Sequence, residues 1–531
     1  MSAAPRIRNP AKLFSTFDLQ VPKAQSNGSS SASSSSNIEK EESVHTVVLR
    51  SEASAKTSDS PQDLPNLPTP TVQLLSAPLP IYPYMYDKLK DREDAFDREM
   101  EHLVQGICKE HGLEGLEMES LHLRRESSFW TYGRVYCEVE GRLNESSAVL
   151  QRGDHRIRLD FRRCPHLALF SGQVIVVKGN NPTGAKIICE SIYSSALLPN
   201  LSVEERGEKG SVRPLSLLVA CGPFVPVSAS DSQFLQFERL QRLLQHVTTE
   251  RRPSAILLLG PFVDATHPLV DECELSLGFD LAFERFCHEL DNTLDALQLK
   301  TQIIMVPSVR DVQHDLVFPQ FPFRQNKPTS SSQPYLSTLF PKSRFDTDAT
   351  NVHWLSNPCT VCINGVVLGI TSADILADIN EHELCRGEVD TTIPRLAGYI
   401  LQQHSYYPML PTALHIPLDS SHVEWLRMPC TPDLLILPSS RLAPYVEEVT
   451  QRPNNSNDDK QEVVACCINP GHVSDGISGT YALVEVRPPS HLQQQQENDS
   501  NMELEVKAEE GQASKRPFPM AKHVTVDVIR F

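Results

Sequence analysis

Four short, uninterrupted apolar runs, each bounded by Gly or Pro, constrain the fold of this chain more than any other feature. They are Ser216–Gly222, Ala255–Pro261, Gln302–Ser308 and Pro432–Ser439. A strand with one face in water alternates apolar and polar residues, whereas a strand covered on both faces does not. Stretches with helical apolar spacing, Phe234–Val247 and Leu281–Leu299, lie between the first three runs. Strand, helix and strand in alternation predict an α/β region with a largely parallel sheet, starting near residue 214 and running to 531. In such sheets ligands gather where the strands end.

The residues at those ends therefore bear on function. Calcineurin-like phosphoesterases carry Asp-x-His, Gly-Asp, Gly-Asn-His and Gly-His-x-His there, because two adjacent cations need several oxygen and imidazole ligands. The runs here resemble that frame without its ligands. The first ends Ala220-Cys221-Gly222, and the second ends Gly260-Pro261, with proline where a bridging Asp is expected. The third continues to Arg310 and Asp311, and the fourth ends at Pro438. Proline offers no side-chain donor atom, and a guanidinium repels cations. Asp264, four residues after Gly260, is a remnant of the pattern. The likeness implies an inactivated phosphoesterase domain with no catalytic residue, no metal ligand and no cofactor. His267, His314, His404, His415 and His472 lie near strand ends but are too few for a rebuilt two-metal site, so Asp and His residues here are expected to cap turns.

Longer blocks carry a second resemblance. Gly260–His267, Val306–His314 and Asn357–Gly369 are similar to blocks of the B-subunits of replicative DNA polymerases. Phe318–Phe323, His404–Pro408, Cys467–His472 and the ending Val526–Phe531 bring the chain nearest the alpha–primase branch of that family. The resemblance covers about residues 120–531. It implies a non-catalytic nuclear scaffold that binds the C-terminal domain of the polymerase alpha catalytic subunit, with the two primase subunits completing a primer-synthesising complex. The competing reading is a metal-dependent phosphoesterase or nuclease with an altered ligand set.

The remaining organisation is read from composition and periodicity. Residues 1–80 are rich in Ser, Pro, Thr and Glu and are expected to form a disordered tail and linker, with Ser60-Pro61 and Thr69-Pro70 as candidate phosphorylation sites. The family's small N-terminal helical domain is not found ahead of that linker. Residues 84–112 predict an amphipathic helix with Met85, Leu89, Phe96, Met100, Leu103 and Ile107 on its apolar face and Gly112 as its C-terminal stop. Residues 118–200 hold about five short alternating strands, the pattern of an oligonucleotide/oligosaccharide-binding (OB) barrel. Residues 195–213 read as a linker with a charged part at Glu204–Gly210, and 488–518 as a disordered insertion.

Charge and cysteines narrow the partners. The 67 acidic residues outnumber 49 basic ones, for a net charge of −18, which disfavours a surface built to grip DNA. A locally basic stretch of the barrel, Arg152 to Arg163, presents Arg156 and Arg158 outwards without stacking aromatics at matching intervals. Direct nucleic-acid contact is expected to be weak or absent, with single-strand binding by the barrel as the alternative. The 13 cysteines lack a repeating spacing, and Cys359-Thr-Val-Cys362 has no second pair, so reduced, buried thiols are expected. No stretch has the length of a membrane span, and the first residues show no signal-peptide core.

Overall fold

The computed structural model describes residues 46–50, 70–138, 141–194, 197–202, 205–206, 213–234, 236–250, 253–275, 278–296, 301–323, 351–387, 391–451, 462–474, 476, 478–487 and 520–531. The first strands are β1, Thr46–Arg50, and β2, Val72–Leu74, followed by helix α1, Leu89–Glu110. Next comes a closed five-stranded barrel of β3 (Arg125–Cys137), β4 (Ala148–Arg152), β5 (His155–Asp160), β7 (Val174–Asn181) and β8 (Lys186–Tyr193). Strand β6, Leu167–Leu169, lies outside the barrel and pairs with β15, Leu384–Arg386. Closure leaves the barrel no exposed edge, and Val135, Leu150, Ile157, Leu159, Ile175, Val177 and Ile187 fill its interior.

The rest forms two stacked sheets. The first has the order β1-β20-β19-β9-β10-β11-β12, from β9 (Leu215–Cys221), β10 (Ala255–Leu259), β11 (Gln302–Val306), β12 (Val352–Trp354), β19 (Thr480–Val486) and β20 (Val524–Arg530). The second runs β17-β18-β16-β14-β13-β2, from β13 (Cys359–Ile363), β14 (Val366–Ile370), β16 (Leu434–Ile436), β17 (Tyr445–Gln451) and β18 (Glu462–Asn469). Leu217, Val219, Leu257, Ile304, Val361, Leu368, Ile436 and Ile468 meet between the sheets. Their neighbours Leu218, Leu258, Ile303 and Met305 point the other way, under helices α2 (Glu238–Glu250) and α3 (Phe279–Ala296). Helices α4 (Ile375–His382) and α5 (Thr392–Gln402) cover the second sheet through Ile379, Leu396 and Ile400, against Leu435 and Cys467. Every central strand is thus buried on both faces, the physical cause of the uninterrupted apolar runs.

Barrel and sandwich are in intimate contact. Gln403 bonds both backbone groups of Val174, accepting from its N at 2.8 Å and donating to its O at 3.2 Å. Gly172, at φ +102°, sits so close that a Cβ would lie 2.2 Å from the Leu410 nitrogen. Helix α1 lays Met100, Leu103, Val104 and Ile107 on Val174 and Val176 of the barrel.

Several expectations need correction. Within 1–80, expected to be disordered, β1 adds to the edge of one sheet and β2 to the other, and Leu79 is buried with the following Tyr82 against Val317 and Phe321. Unpaired sheet edges recruit short Val-rich segments that average composition conceals. The helix starts at Leu89, leaving Met85 and Leu89 78% and 82% exposed rather than on the buried face. Arg206, expected in a solvated charged linker, is fully buried. Ser60, Thr69 and 488–518 lie outside the described residues. Among the described residues no helix is long and apolar enough to cross a membrane.

Candidate functional site

Strands β9, β10 and β11 are parallel and in register, so their C-terminal ends share one edge. The loops there close on one another. A Cβ on Gly222 would lie 2.0 Å from the Pro261 carbonyl oxygen, and one on Gly260 would lie 2.2 Å from Asp311 Oδ2. Only glycine permits both approaches. Ala220 and Gly222 are buried, as is Pro261, which follows a cis peptide bond.

Asp311 holds the loops together. Its Oδ1 accepts from the backbone N–H of Phe262 at 2.5 Å and of Val263 at 3.3 Å, and its Oδ2 accepts from Ser308 N at 2.8 Å. Burial pushes its carboxyl up to about 7, against the pull of those three donors. Asp264 accepts from Thr266 N at 3.0 Å and is clamped by the guanidinium of Arg310 through Nε at 3.2 Å and through Nη2. The charge that two carboxylates offer a cation is answered here by one cationic side chain and by backbone dipoles.

The second sheet closes its own strand ends in the same manner. Beyond Pro438, Asn469 Oδ1 accepts from Ser439 N at 3.1 Å and Gly471 N at 3.0 Å, while its Nδ2 donates to Ala443 O at 3.2 Å. Arg441 pairs with Asp374, Asp378 and Glu381. Ser372 Oγ donates to Pro307 O at 2.8 Å, and His472 Nδ1 meets Gly222 O, so the ends of both sheets converge. The Cys221 thiol is pushed up to about 12, mainly by burial, and lies within the fields of Arg310, Asp311 and Asp374.

The other candidates fall elsewhere or serve the backbone. His267 caps the turn at 268–271, accepting from Leu269 N at 3.3 Å. His314 Nε2 contacts Phe321 O at 2.8 Å. His404 is lowered to about 4 by burial, then by His102 and Arg427. His415 lies 3.6 Å from Asp378. Cys359 and Cys362 are buried on opposite faces of β13, and burial pushes both thiols up. On the barrel, Arg158 pairs with Glu138 at 2.8 Å and Arg156 Nε donates to Gln151 at 2.8 Å. Arg162 and Lys186 share Asp160. Sequence reasoning missed Asn469 and the Arg441 cluster. The signal available was the Asn-Pro-Gly-His run that ends β18, where an Asx side chain before Pro-Gly marks a tight turn.

A five-stranded barrel docked on a helix-covered pair of sheets defines a class in which comparison with known proteins is specific. The family model for the B-subunit of DNA polymerases alpha and epsilon matches residues 217–447, and that for the OB domain of the DNA polymerase alpha B-subunit matches 93–195. The chain belongs to the B-subunit family of DNA polymerases. Within it, the similar proteins are of the alpha kind. The DNA polymerase alpha B-subunit of Rattus norvegicus is 29% identical over 431 residues, 78% of this chain and 64% of the relative. That of Bos taurus is 30% identical over 381 residues, 70% and 58% respectively. That of Schizosaccharomyces pombe is 26% identical over 447 residues, 80% and 71%. The chain thus spans less than two thirds of its mammalian relatives' length. The OB barrel of the family is the β3–β8 barrel described above.

Proposed function

We propose that this chain is a non-catalytic accessory subunit of DNA polymerase alpha, a nuclear scaffold that supports primer synthesis in the initiation of DNA replication. In this reading the two-sheet sandwich, residues 214–531, is a calcineurin-like phosphoesterase domain whose site has been lost. The OB barrel, 118–200, and the preceding helix pack against it. Together they present a surface to the C-terminal domain of the polymerase alpha catalytic subunit, with the primase subunits in the same complex. Ser60 and Thr69 are its candidate phosphorylation sites.

The observation that carries the proposal is the closure of the strand ends. Positions that hold metal ligands in an active phosphoesterase are here Ala220, Gly222, Pro261, Arg310 and Pro438, and the surviving carboxylates are engaged. Asp264 is engaged by Arg310, and Asp311 by three backbone N–H groups. Ion pairing of Arg158 and Arg162 within the barrel supports weak or absent direct nucleic-acid contact. The competing phosphoesterase reading draws on the raised carboxyl of Asp311 beside Asp264.

Size-exclusion chromatography of the full chain with the C-terminal domain of each replicative polymerase catalytic subunit tests the proposal. One-to-one co-elution with the alpha domain alone is expected, and failure with all of them refutes it. Hydrolysis of a phosphodiester model substrate by the chain in Mn²⁺, abolished by Asp264→Asn, would favour the phosphoesterase instead.

A further inference from the structure

We propose that Asp87, Asp419 and His422 form a binding site for one divalent transition-metal ion of the Zn²⁺ class. One ligand atom from each residue lies within 4.8 Å of those of the other two. Asp87 Oδ2, Asp419 Oδ2 and His422 Nδ1 are each shielded from solvent, and among the described residues none of them has a hydrogen-bond partner. The Asp419 side chain is only 4% exposed, and its Oδ2 is 3.5 Å from His422 Nδ1. That is longer than a hydrogen bond and close to the roughly 3.3 Å that separates two ligands on a tetrahedral zinc with bonds of about 2.0–2.1 Å.

Two carboxylates this near each other repel, and each has a shielded oxygen without the donors that normally offset burial. A cation between them and the imidazole answers both deficits at once. One imidazole and two carboxylates suit zinc better than the all-oxygen sets that hold Mg²⁺ or Ca²⁺. The surroundings orient the ligands as metal sites require. Asp419 Oδ1 accepts from Ser421 N at 3.2 Å, which turns Oδ2 away from its own backbone. Tyr82 stacks on the His422 ring at 3.9 Å between centroids and 19° between planes, and its hydroxyl donates to Pro319 O at 2.5 Å.

The ligands come from distant parts of the chain. Asp87 lies just before α1, whereas Asp419 and His422 belong to the 3-10 turn Ser420–Leu426 and its cap. A bound ion therefore staples the segment that leads into α1 onto the sandwich. That segment carries the exposed apolar side chains Ile81, Met85, Tyr86 and Leu89, whose placement the ion would govern.

The test uses the full chain, reduced and stripped with chelator, titrated with Zn²⁺ by calorimetry and with Co²⁺ by absorption. One equivalent of Zn²⁺ is expected to bind, and Co²⁺ should give weak d–d bands without a thiolate charge-transfer band. Asp87→Ala and His422→Phe, the second retaining the stack on Tyr82, should each weaken binding at least about 100-fold. Their metal-free melting temperatures should equal or exceed that of the unmutated chain, since each change removes a shielded polar atom without a partner. Metal should also slow proteolysis near residues 81–89 in the unmutated chain alone. Absence of a bound equivalent, thiolate bands on Co²⁺, or a variant that binds as the unmutated chain does would each overturn the proposal. The Co²⁺ spectrum of the unmutated chain decides even if a variant fails to fold.

Discussion

Arg206→Met tests how the linker is locked into the sandwich. Arg206 and Asp433 are both 0% exposed and form a bidentate pair, Nη1 to Oδ2 at 2.5 Å and Nη2 to Oδ1 at 3.1 Å. Arg206 also donates to the carbonyls of Leu201 at 3.0 Å and Gly365 at 2.9 Å. Asp433 accepts in addition from Val367 N at 2.9 Å and Met520 N at 3.0 Å, so the pair ties the linker, β14 and the C-terminal segment together. Methionine replaces the hydrocarbon stem but leaves a buried carboxylate without its cation. Breaking a buried pair in this way costs about 3–5 kcal/mol. At roughly 2 °C per kcal/mol for a large domain, the melting temperature should fall by about 6–10 °C. Circular dichroism melts and urea midpoints read this directly. Because most of the loss is the stranded charge, Arg206→Met/Asp433→Asn should be more stable than Arg206→Met alone. A single variant within about 1 kcal/mol of the unmutated chain, or losses that simply add, would refute the argument.

Three further outcomes follow from the strand ends. Gly222→Ala places a methyl 2.0 Å from the Pro261 oxygen, and the backbone shift needed to relieve it should cost about 1–3 kcal/mol in a urea titration; a neutral change would mean that these loops yield freely. Asp311 has a folded value near 7 against an unfolded value of 3.8, so the folded state binds the extra proton between them. Its contribution is therefore fully present below about pH 4 and is lost as pH rises through about 7. Asp311→Asn should flatten that part of the stability–pH profile while destabilising the chain by about 1–3 kcal/mol, since one carboxylate oxygen becomes an N–H₂ facing a backbone donor; an unchanged profile would contradict the assignment. Leu258→Asp, at a position buried between Ala220 and Met305 under the helices, should prevent recovery of folded protein, and a soluble variant that still binds its partner would show that strand to be less enclosed than described.

What was legible in the sequence was whatever depends on local order. Continuous apolar runs announced doubly covered strands, and β9, β10, β11 and β16 lie within the four stretches read that way, give or take a residue at the ends. Alternation announced the barrel strands, and helical spacing announced α1 together with the burial of Met100, Leu103 and Ile107. That Pro261 and Pro438 offer no side-chain atom to a metal was equally plain, because side-chain chemistry needs no coordinates. Local order was misleading at Met85 and Leu89, where the helical spacing continues beyond the point at which the backbone becomes a helix.

Tertiary structure alone decided which distant segments meet. The segments at 46–50 and 72–74 look like parts of a polar tail, yet each completes a sheet edge formed by strands hundreds of residues away. Arg206 has the sequence context of a solvated charge, and only the approach of Asp433 makes its burial tolerable. The convergence of Asp87 with Asp419 and His422 is likewise invisible in the chain's order. Periodicity and residue type are properties of neighbours in sequence and can be read there. Edge pairing, ion pairing and ligand clustering are set by loop closure across the whole chain, whose cost rises only slowly with length and so leaves no local mark.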